Sequence, residues 1–173
     1  MIKAILATGL NGEIGQNGDM PWGRSLPKDL EYFKRVTFNQ KVVMGRKTFE
    51  SLPFKNGLPK RVNYVLTSEP FDLGYKNLAE YLYKMNSGRL DLMLTFGKNN
   101  NGEEHCYWLI GGSSIYEQFW GYVTEAHITT VHNTYPKTDT FFKPDLSQFE
   151  KVGEEIDVGN GELEASVQVW RRI

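Results

Sequence analysis

The sequence has a single cysteine, and one thiol cannot form an internal disulfide. Cys106 stands in an apolar run, which favours an inert core thiol in a protein of the reducing cytoplasm. Histidine is scarce as well, because His105, His127 and His132 are the only three. Their spacing matches no set of zinc ligands, so we predict no metal site. We expect His127 and His132 to be surface or strand-edge residues.

Neither sign of charge is in large excess. Lys and Arg total 20 against 21 Asp and Glu, so we expect no nucleic-acid or membrane partner. No apolar run is long enough to span a bilayer, and residues 1–7 form a strand pattern that lacks the features of an export signal. Hydrophobic residues make up 40% of the 173 and predict a packed core in one domain, residues 1–173. We expect a cytoplasmic monomer, with a homodimer as the alternative.

Strand and helix patterns alternate through the front half of the chain. The predicted strands are 2–8, 41–44, 62–67, 106–110, 126–131 and 165–171. The predicted helices are 27–37, 47–51, 76–85 and 114–120. This order predicts an α/β fold with a central, mostly parallel, twisted sheet and helices on both faces. No long helix separates the last two strands, which predicts an antiparallel C-terminal edge, and a hairpin is predicted to join 92–96 to 106–110 across a polar tract.

One charged side chain falls on the predicted apolar face of the helix 27–37. At about 100° per residue, one side of this helix carries Leu26, Asp29, Tyr32 and Phe33, with Leu30 at its margin. A carboxylate that points inward is costly without hydrogen bonds, and its pKa tends to rise. Such groups are typical of sites that bind ligands or move protons. The alternative is an Asp29 that only complements the helix dipole from the first turn.

Two predicted strands end in glycine and lead directly into a helix, at 42–48 and 107–116. In an open α/β sheet, two such junctions can flank a dinucleotide crevice, because glycine permits close approach and the helix start attracts anions. Neither junction matches G-x-G-x-x-G or a Walker motif, so ordinary turns are the alternative. Arg46 and Lys47, with the hydroxyls of Thr67 and Ser68, favour a ribose phosphate and therefore NADP. Glu69 would instead suit the free ribose hydroxyl of NAD.

Several longer segments occur in a recognisable order across nearly the whole chain. They are IGQNGDMPW at 14–22, LPKDL at 26–30 with Phe33 and Lys34, VMGRKTFES at 43–51, LPKR at 58–61, IGG at 110–112 with Ile115 and Tyr116, and DTFF at 139–142. Together they resemble the dihydrofolate reductase family. The resemblance implies NADPH-dependent reduction of 7,8-dihydrofolate, with hydride transfer to C6 and protonation of N5. It also implies an adenosine-binding subdomain at approximately residues 41–98.

The resemblance implies roles for the matched positions. Asp29, Trp22 and Met20 would be catalytic: Asp29 would bind the pterin and promote N5 protonation, and the other two belong to a mobile loop over the nicotinamide. Thr129 would support Asp29, and Arg61 would bind the glutamate α-carboxylate of the substrate. The other implied substrate contacts are Ile5, Ala7, Leu30, Phe33, Leu52, Leu58 and Ile110. The implied NADPH contacts are Ala7, Ile14, Gly15, Gly45, Arg46, Lys47, Thr48, Thr67, Ser68, Ile110, Gly111, Gly112, Ser113, Ser114, Ile115 and Tyr116.

Three segments depart from the family pattern. Residues 23–25 lengthen the link that follows Trp22, Ser113 and Ser114 stand where many members carry glycine and a cation, and residues 92–106 are longer than in compact bacterial members. The long segment allows an alternative function, a non-catalytic pterin- or nucleotide-binding module that uses 92–106 as a partner surface. A second alternative is a reductase for a related pterin-like or pyrimidine substrate, which would have no use for Arg61.

Overall fold

The computed structural model describes residues 1–68, 82–85 and 105–173. The strands of the main sheet are β1 (Ile2–Thr8), β3 (Lys41–Gly45), β4 (Val62–Leu66), β5 (Leu82–Met85), β6 (Tyr107–Gly111), β7 (Val123–Val131), β9 (Phe149–Asp157) and β10 (Ala165–Arg172). Two short strands, β2 (Glu13–Gly15) and β8 (Thr140–Phe141), pair with each other in a second sheet. The helices of the described ranges are α1 (Pro27–Thr37), α2 (Arg46–Ser51) and α3 (Ser113–Phe119), and a 3-10 turn follows at Trp120–Tyr122.

The main sheet has eight strands in the order β5-β4-β3-β6-β1-β7-β10-β9. The six strands from β5 to β7 run parallel to their neighbours, whereas β10 is antiparallel to both β7 and β9. The predicted parallel sheet with an antiparallel C-terminal edge is therefore confirmed. The chain builds outward from β1 to β5 and then returns to place β6 and β7 on either side of β1. This reversal creates the crevice in which α/β sheets bind ligands, at the carboxyl ends of the strands.

Helices cover both faces of the sheet, as predicted, because successive strand residues point to opposite sides. Val43 and Leu109 pack on one face in a cluster with α3. Val42 and Met44 lie on the other face, in a cluster with residues of α1 and α2. Each fully buried side chain of this size contributes about 1.5–3 kcal/mol through the hydrophobic effect. The two apolar layers hold the sheet rigid beneath the cleft.

The structure also corrects parts of the predicted element map. Residues 82–85, placed at the end of a helix 76–85, form β5 and pair with β4, so strand pairing overrides the local helical pattern. Some predictions fall outside the described residues. They concern residues 76–81 of the predicted helix, the predicted hairpin strand 92–96 with its polar tract, and Glu69. The strands β2, β8 and β9 were not predicted. β9 is an edge strand with mostly exposed side chains, so it lacks the apolar alternation that marks a half-buried strand.

His127 is not the surface or edge residue that the sequence predicts, whereas His132 is exposed. His127 lies buried within β7, a strand that pairs with β1 on one side and β10 on the other. Cys106 is half-buried, and burial raises the pKa of its thiol, which suits the inert role predicted for it. No helix of the described ranges has the length and apolar character needed to cross a bilayer. Among the same residues, no group of three His, Cys, Asp or Glu is placed to hold a metal ion.

Candidate active site

A large cleft lies at the carboxyl ends of the parallel strands. The ends of β1, β3, β4, β6 and β7 contribute to its lining, because strands that run the same way end at the same edge of the sheet. Its volume is about 1720 Å³. A pocket for one small ligand typically measures roughly 300–1,000 Å³, so this cleft has room for two ligands side by side.

The cleft brings together the residues that the sequence singles out, since every predicted site residue except Trp22 lines it. Trp22 lies buried beside the lining and packs against Tyr135, with ring centroids 5.6 Å apart. Its indole N–H has no hydrogen-bond partner among the described residues. Other residues that line the cleft had no predicted role, and they include Arg24, Lys34, Phe54, Asp139 and Thr140. Phe54 carries a signal that sequence reasoning could have used, because a large apolar side chain stands in a polar turn.

Asp29 occupies the first turn of α1 and faces the sheet. Pro27 begins this helix, and the helical period then buries Asp29 and Tyr32 while Lys28 and Glu31 stay exposed. The Asp29 side chain is 8% exposed, and the hydroxyl of Thr129 on β7 donates a hydrogen bond of 2.6 Å to its Oδ1. Burial raises the pKa of Asp29, and the hydrogen bond from Thr129 offsets only part of this effect. The site therefore holds a carboxyl group that takes up a proton more readily than an exposed aspartate.

Arg61 is a fixed cation in the cleft, although it follows a Leu-Pro turn that could have been a surface feature. Only 6% of the residue is exposed. Its guanidinium donates to the carbonyls of Pro59 at 2.7 Å and Lys34 at 2.9 Å, and to Thr37 Oγ1 at 3.1 Å. Burial lowers the pKa of its guanidinium, yet arginine stays charged in proteins. The hydrogen bonds orient a planar donor fork that suits a carboxylate.

The junction between β6 and α3 depends on glycine. Gly111 has φ +120°, a region that side chains with a Cβ rarely adopt, and the Gly111–Gly112 peptide is cis. A Cβ at Gly111 would lie 3.4 Å from the hydroxyl oxygen of Tyr116. That hydroxyl donates a hydrogen bond of 2.7 Å to the carbonyl of Ile5, and burial raises its pKa. The backbone at Gly111 and Gly112 therefore lines the cleft without side chains. The hydrogen bond of Tyr116 joins α3 to β1.

The junction between β3 and α2 carries the predicted cations. Gly45 ends the strand, and Arg46 and Lys47 follow with exposed side chains that line the cleft. Arg46 Nε donates to Glu50 Oε1 at 2.8 Å, and the two residues form an exposed ion pair across one turn of α2. Thr67 and Ser68 follow β4, the neighbour of β3, so their hydroxyl groups lie at the same edge. Bare glycine backbone, two cations and several hydroxyl groups form a donor set that fits a phosphorylated dinucleotide.

The loop that follows β2 is held against the segment that contains β8. The amide of Asn17 donates to Asp139 Oδ2 at 2.8 Å, and the amide of Asp139 donates to the carbonyl of Gly15 at 3.0 Å. At the start of β2, the buried carboxylate of Glu13 accepts hydrogen bonds from the amides of Asn11 and Tyr135. These contacts hold the loop beside the cleft, where Met20 forms part of the wall.

A parallel sheet with a two-ligand cleft at its carboxyl edge is typical of α/β enzymes that bind a dinucleotide next to a second small molecule. The sequence model of the family described as dihydrofolate reductase matches residues 1–172. The chain belongs to the dihydrofolate reductase family. It is 34% identical to dihydrofolate reductase of Bacillus subtilis, over 90% of this chain and 83% of that protein. It is 30% identical to dihydrofolate reductase type 9 of Escherichia coli, over 98% and 92% of the two chains.

A similar solved structure agrees with this assignment. It is dihydrofolate reductase from Enterococcus faecalis, complexed with NADP(H) and RAB-propyl. The TM-score is 0.80 with 31% sequence identity, and the alignment covers 99% of this chain and 96% of that one. The shared fold therefore extends over essentially the whole chain.

Proposed function

We propose that this chain catalyses the NADPH-dependent reduction of 7,8-dihydrofolate to 5,6,7,8-tetrahydrofolate. Membership of the dihydrofolate reductase family and similarity over nearly the full length support this reaction. The observation that carries it is Asp29, a buried carboxyl group held at 2.6 Å by Thr129 inside a cleft with room for two ligands. No other acidic side chain of the described residues that line the cleft is as deeply buried.

Asp29 binds the pterin and promotes its protonation. The ionised carboxylate accepts hydrogen bonds from the 2-amino and N3 groups, which are both donors. Burial raises its pKa, so Asp29 takes up a proton more readily than an exposed aspartate, and it promotes protonation of N5 through water. Ile5, Leu30 and Phe33 form apolar walls for the flat rings, and they also limit the hydration of Asp29.

Arg61 binds the other end of the substrate. Its guanidinium lines the cleft and is oriented by three hydrogen-bond acceptors, so little entropy is lost when it pairs with a carboxylate. This role separates dihydrofolate from pterin-like or pyrimidine substrates that lack a glutamate tail. Leu52, Leu58 and Ile110 complete the apolar surface between the two ends.

The cofactor site combines bare backbone with cations. Gly45, Gly111 and Gly112 leave space for close approach, and Arg46 and Lys47 bind the ribose phosphate, together with the hydroxyl groups of Thr67 and Ser68. Thr48, Ser113, Ser114, Ile115 and Tyr116 line the same part of the cleft, as do Ala7, Ile14 and Gly15. NADPH, when bound, supplies the hydride for C6. Met20 and Trp22 exclude water from the space between the two rings.

Other expectations complete the proposal. Approximately residues 41–98 form the adenosine-binding subdomain, of which 41–68 and 82–85 are described. The protein acts in the cytoplasm as a monomer, with a homodimer as the alternative that light scattering distinguishes. The non-catalytic binding module is less favoured, because the relatives are named dihydrofolate reductases. Residues 92–104 of the segment that this module would use lie outside the described residues.

The proposed function is tested by following the loss of NADPH absorbance with dihydrofolate as substrate. We expect steady turnover with NADPH, slower turnover with NADH, and a loss of about 10²–10⁴-fold in Asp29→Asn, because general acid–base groups contribute rate factors of that size. Asp145→Asn makes the same chemical change at an exposed residue outside the cleft and should leave the rate unchanged. Full activity in Asp29→Asn would remove Asp29 from the mechanism, and tight folate binding without turnover would favour the binding module.

A further inference from the structure

Three polar side chains beside Asp29, two buried and one half-buried, form a hydrogen-bonded series that the proposed reaction does not use. Tyr32 Oη on α1 lies 2.7 Å from His127 Nδ1, and His127 Nε2 lies 3.0 Å from Glu125 Oε1. Tyr32 is 6% exposed and His127 is 9% exposed. Both ring nitrogens of a buried histidine therefore have partners, one on the helix and one on the histidine's own strand.

The hydrogen-bond partners of His127 determine which of its ring nitrogens carries the proton. The Glu125 carboxylate can only accept, so His127 Nε2–H donates to it, and Nδ1 is left to accept the hydroxyl proton of Tyr32. Glu125 is also bound by Lys3 of β1 at 2.8 Å and approached by Arg171 of β10 at 3.6 Å. Burial lowers the pKa of His127, and Glu125 offsets this only in part, so the ring is neutral at neutral pH.

Other residues pack around the rings of Tyr32 and His127. The ring of Trp108 on β6 contacts His127 edge-on, with centroids 4.9 Å apart, and Arg35 of α1 lies 5.4 Å from the centre of the Tyr32 ring. The other charged group of α1 that faces this region is Asp29. Burial raises the pKa of Tyr32, Arg35 lowers it, and the charges of Glu125 and Asp29 raise it further. The His127 ring is thus enclosed by β6, β7 and α1, and Lys3 of β1 also acts on its pKa.

The hydrogen bond between Tyr32 and His127 is the second of two side-chain links between α1 and β7. Asp29 and Tyr32 lie three residues apart on one face of the helix, and Thr129 and His127 lie two residues apart on one face of the strand. Asp29 bonds Thr129 and Tyr32 bonds His127, so the links are one helical turn apart. Arg61 holds the last turn of α1, through the Lys34 carbonyl and the Thr37 hydroxyl. The two links to β7 instead fix the first two turns, where Asp29 lies, in both rotation and position along the strand.

We propose that Tyr32 and His127 are positioning residues that hold α1 on β7, so that the Asp29 carboxylate stays at the Thr129 hydroxyl and in its buried place in the cleft. The kinetic consequences rest on the proposed function, whereas the consequences for Asp29 itself do not. Without the second link, the first two turns of α1 shift on β7, water reaches Asp29, and the raised pKa of Asp29 falls toward the ordinary aspartate value.

The test uses Tyr32→Phe and His127→Phe, which delete the polar atoms and keep a ring in each place. The first readout is the titration of the Asp29 carboxyl carbon by NMR, where we expect a lower pKa in both variants than in the parent protein. The second is kcat/KM for dihydrofolate, where we expect a loss of about three- to tenfold in each variant and no further loss in the double variant, as for two residues that act through one bond. Tyr107→Phe is the matched control, because Tyr107 is equally buried in the cluster on the other face of the sheet.

The outcomes separate positioning from mere stability. If both variants melt at lower temperature while the titration of Asp29 and kcat/KM are unchanged, the proposal is overturned. Additive losses in the double variant would also overturn it, because they would show that the two side chains act independently. If the parent protein lacks turnover, the proposed function fails, and the NMR titration still decides the positioning role. Should His127→Phe fail to fold, Tyr32→Phe removes one oxygen atom and gives the same readout.

Discussion

Replacement of Thr129 by valine removes one hydrogen bond from Asp29 and little else. The two side chains have nearly the same shape, and Thr129 is buried, so the change deletes the 2.6 Å donor without opening a cavity. Asp29 then keeps its buried place in α1 without this hydroxyl donor. We expect the pKa of Asp29, already raised by burial, to rise further, because the lost bond stabilises the ionised form.

The size of the effect follows from the charge on Asp29. A hydrogen bond to an ionised group contributes about 1.5–3 kcal/mol, and one to a neutral group about 0.5–1.5 kcal/mol. The free energy of unfolding should therefore fall by the larger amount at high pH, where Asp29 is ionised, and by the smaller amount at low pH, where it is protonated. In a domain of this size each kcal/mol lowers the melting temperature by about 2–4 °C.

Urea unfolding at several pH values from roughly 4 to 8 measures this difference, with folate binding followed in parallel. Thr130→Val is the control, because Thr130 is the next residue of β7 and points to the opposite face of the sheet. The loss in Thr129→Val should grow with pH, and the lower limit of pH for folate binding should move upward. A loss that is the same at every pH would refute the view that Thr129 stabilises the charged form of Asp29.

Three further predictions concern stability and its dependence on pH. Asp29→Asn should unfold at a temperature a few degrees higher although its turnover is much slower, because removal of the buried charge gains on the order of 1 kcal/mol. Calorimetry measures this change, and a lower melting temperature would contradict the prediction. Gly111→Ala should lose about 1–3 kcal/mol of stability and bind NADPH more weakly, because the φ of Gly111 is +120°. Gly112→Ala should fold normally, because the φ of Gly112 is −87° and its new Cβ would lie 3.5 Å from Thr48. Equal losses for the two variants in unfolding and binding assays would show that the backbone angle is not the cause. Burial raises the pKa of Glu13, but hydrogen bonds from backbone amides outweigh this effect and leave the pKa lowered. Glu13 therefore stabilises the fold above the ordinary glutamate pKa, and this contribution is lost as pH falls through the lowered value. The free energy of unfolding of Glu13→Gln should depend less steeply on pH over this range, and curves parallel to those of the parent protein would exclude Glu13 as the cause.

The sequence by itself determined the features that depend on local periodicity and on a residue's own backbone. The helical period placed Asp29 on the inner face of α1 with Tyr32, and the observed burial of both confirms this. Glycine at the ends of β3 and β6 marked the two junctions, and the alternation of strands with helices predicted the parallel sheet. These signals are local, because a side chain's direction follows from its position in a helix or strand.

Only the tertiary structure decided which distant groups meet. No local pattern pairs Thr129 with Asp29 across 100 residues of sequence, although the family resemblance implied that pairing. His127 is buried because α1 covers β7, although a polar residue predicts an edge or surface position. Residues 82–85 form a strand because β4 offers them backbone partners. Contacts of this kind depend on how whole elements pack against one another, and packing energy exceeds the small local preferences that a short segment of sequence expresses.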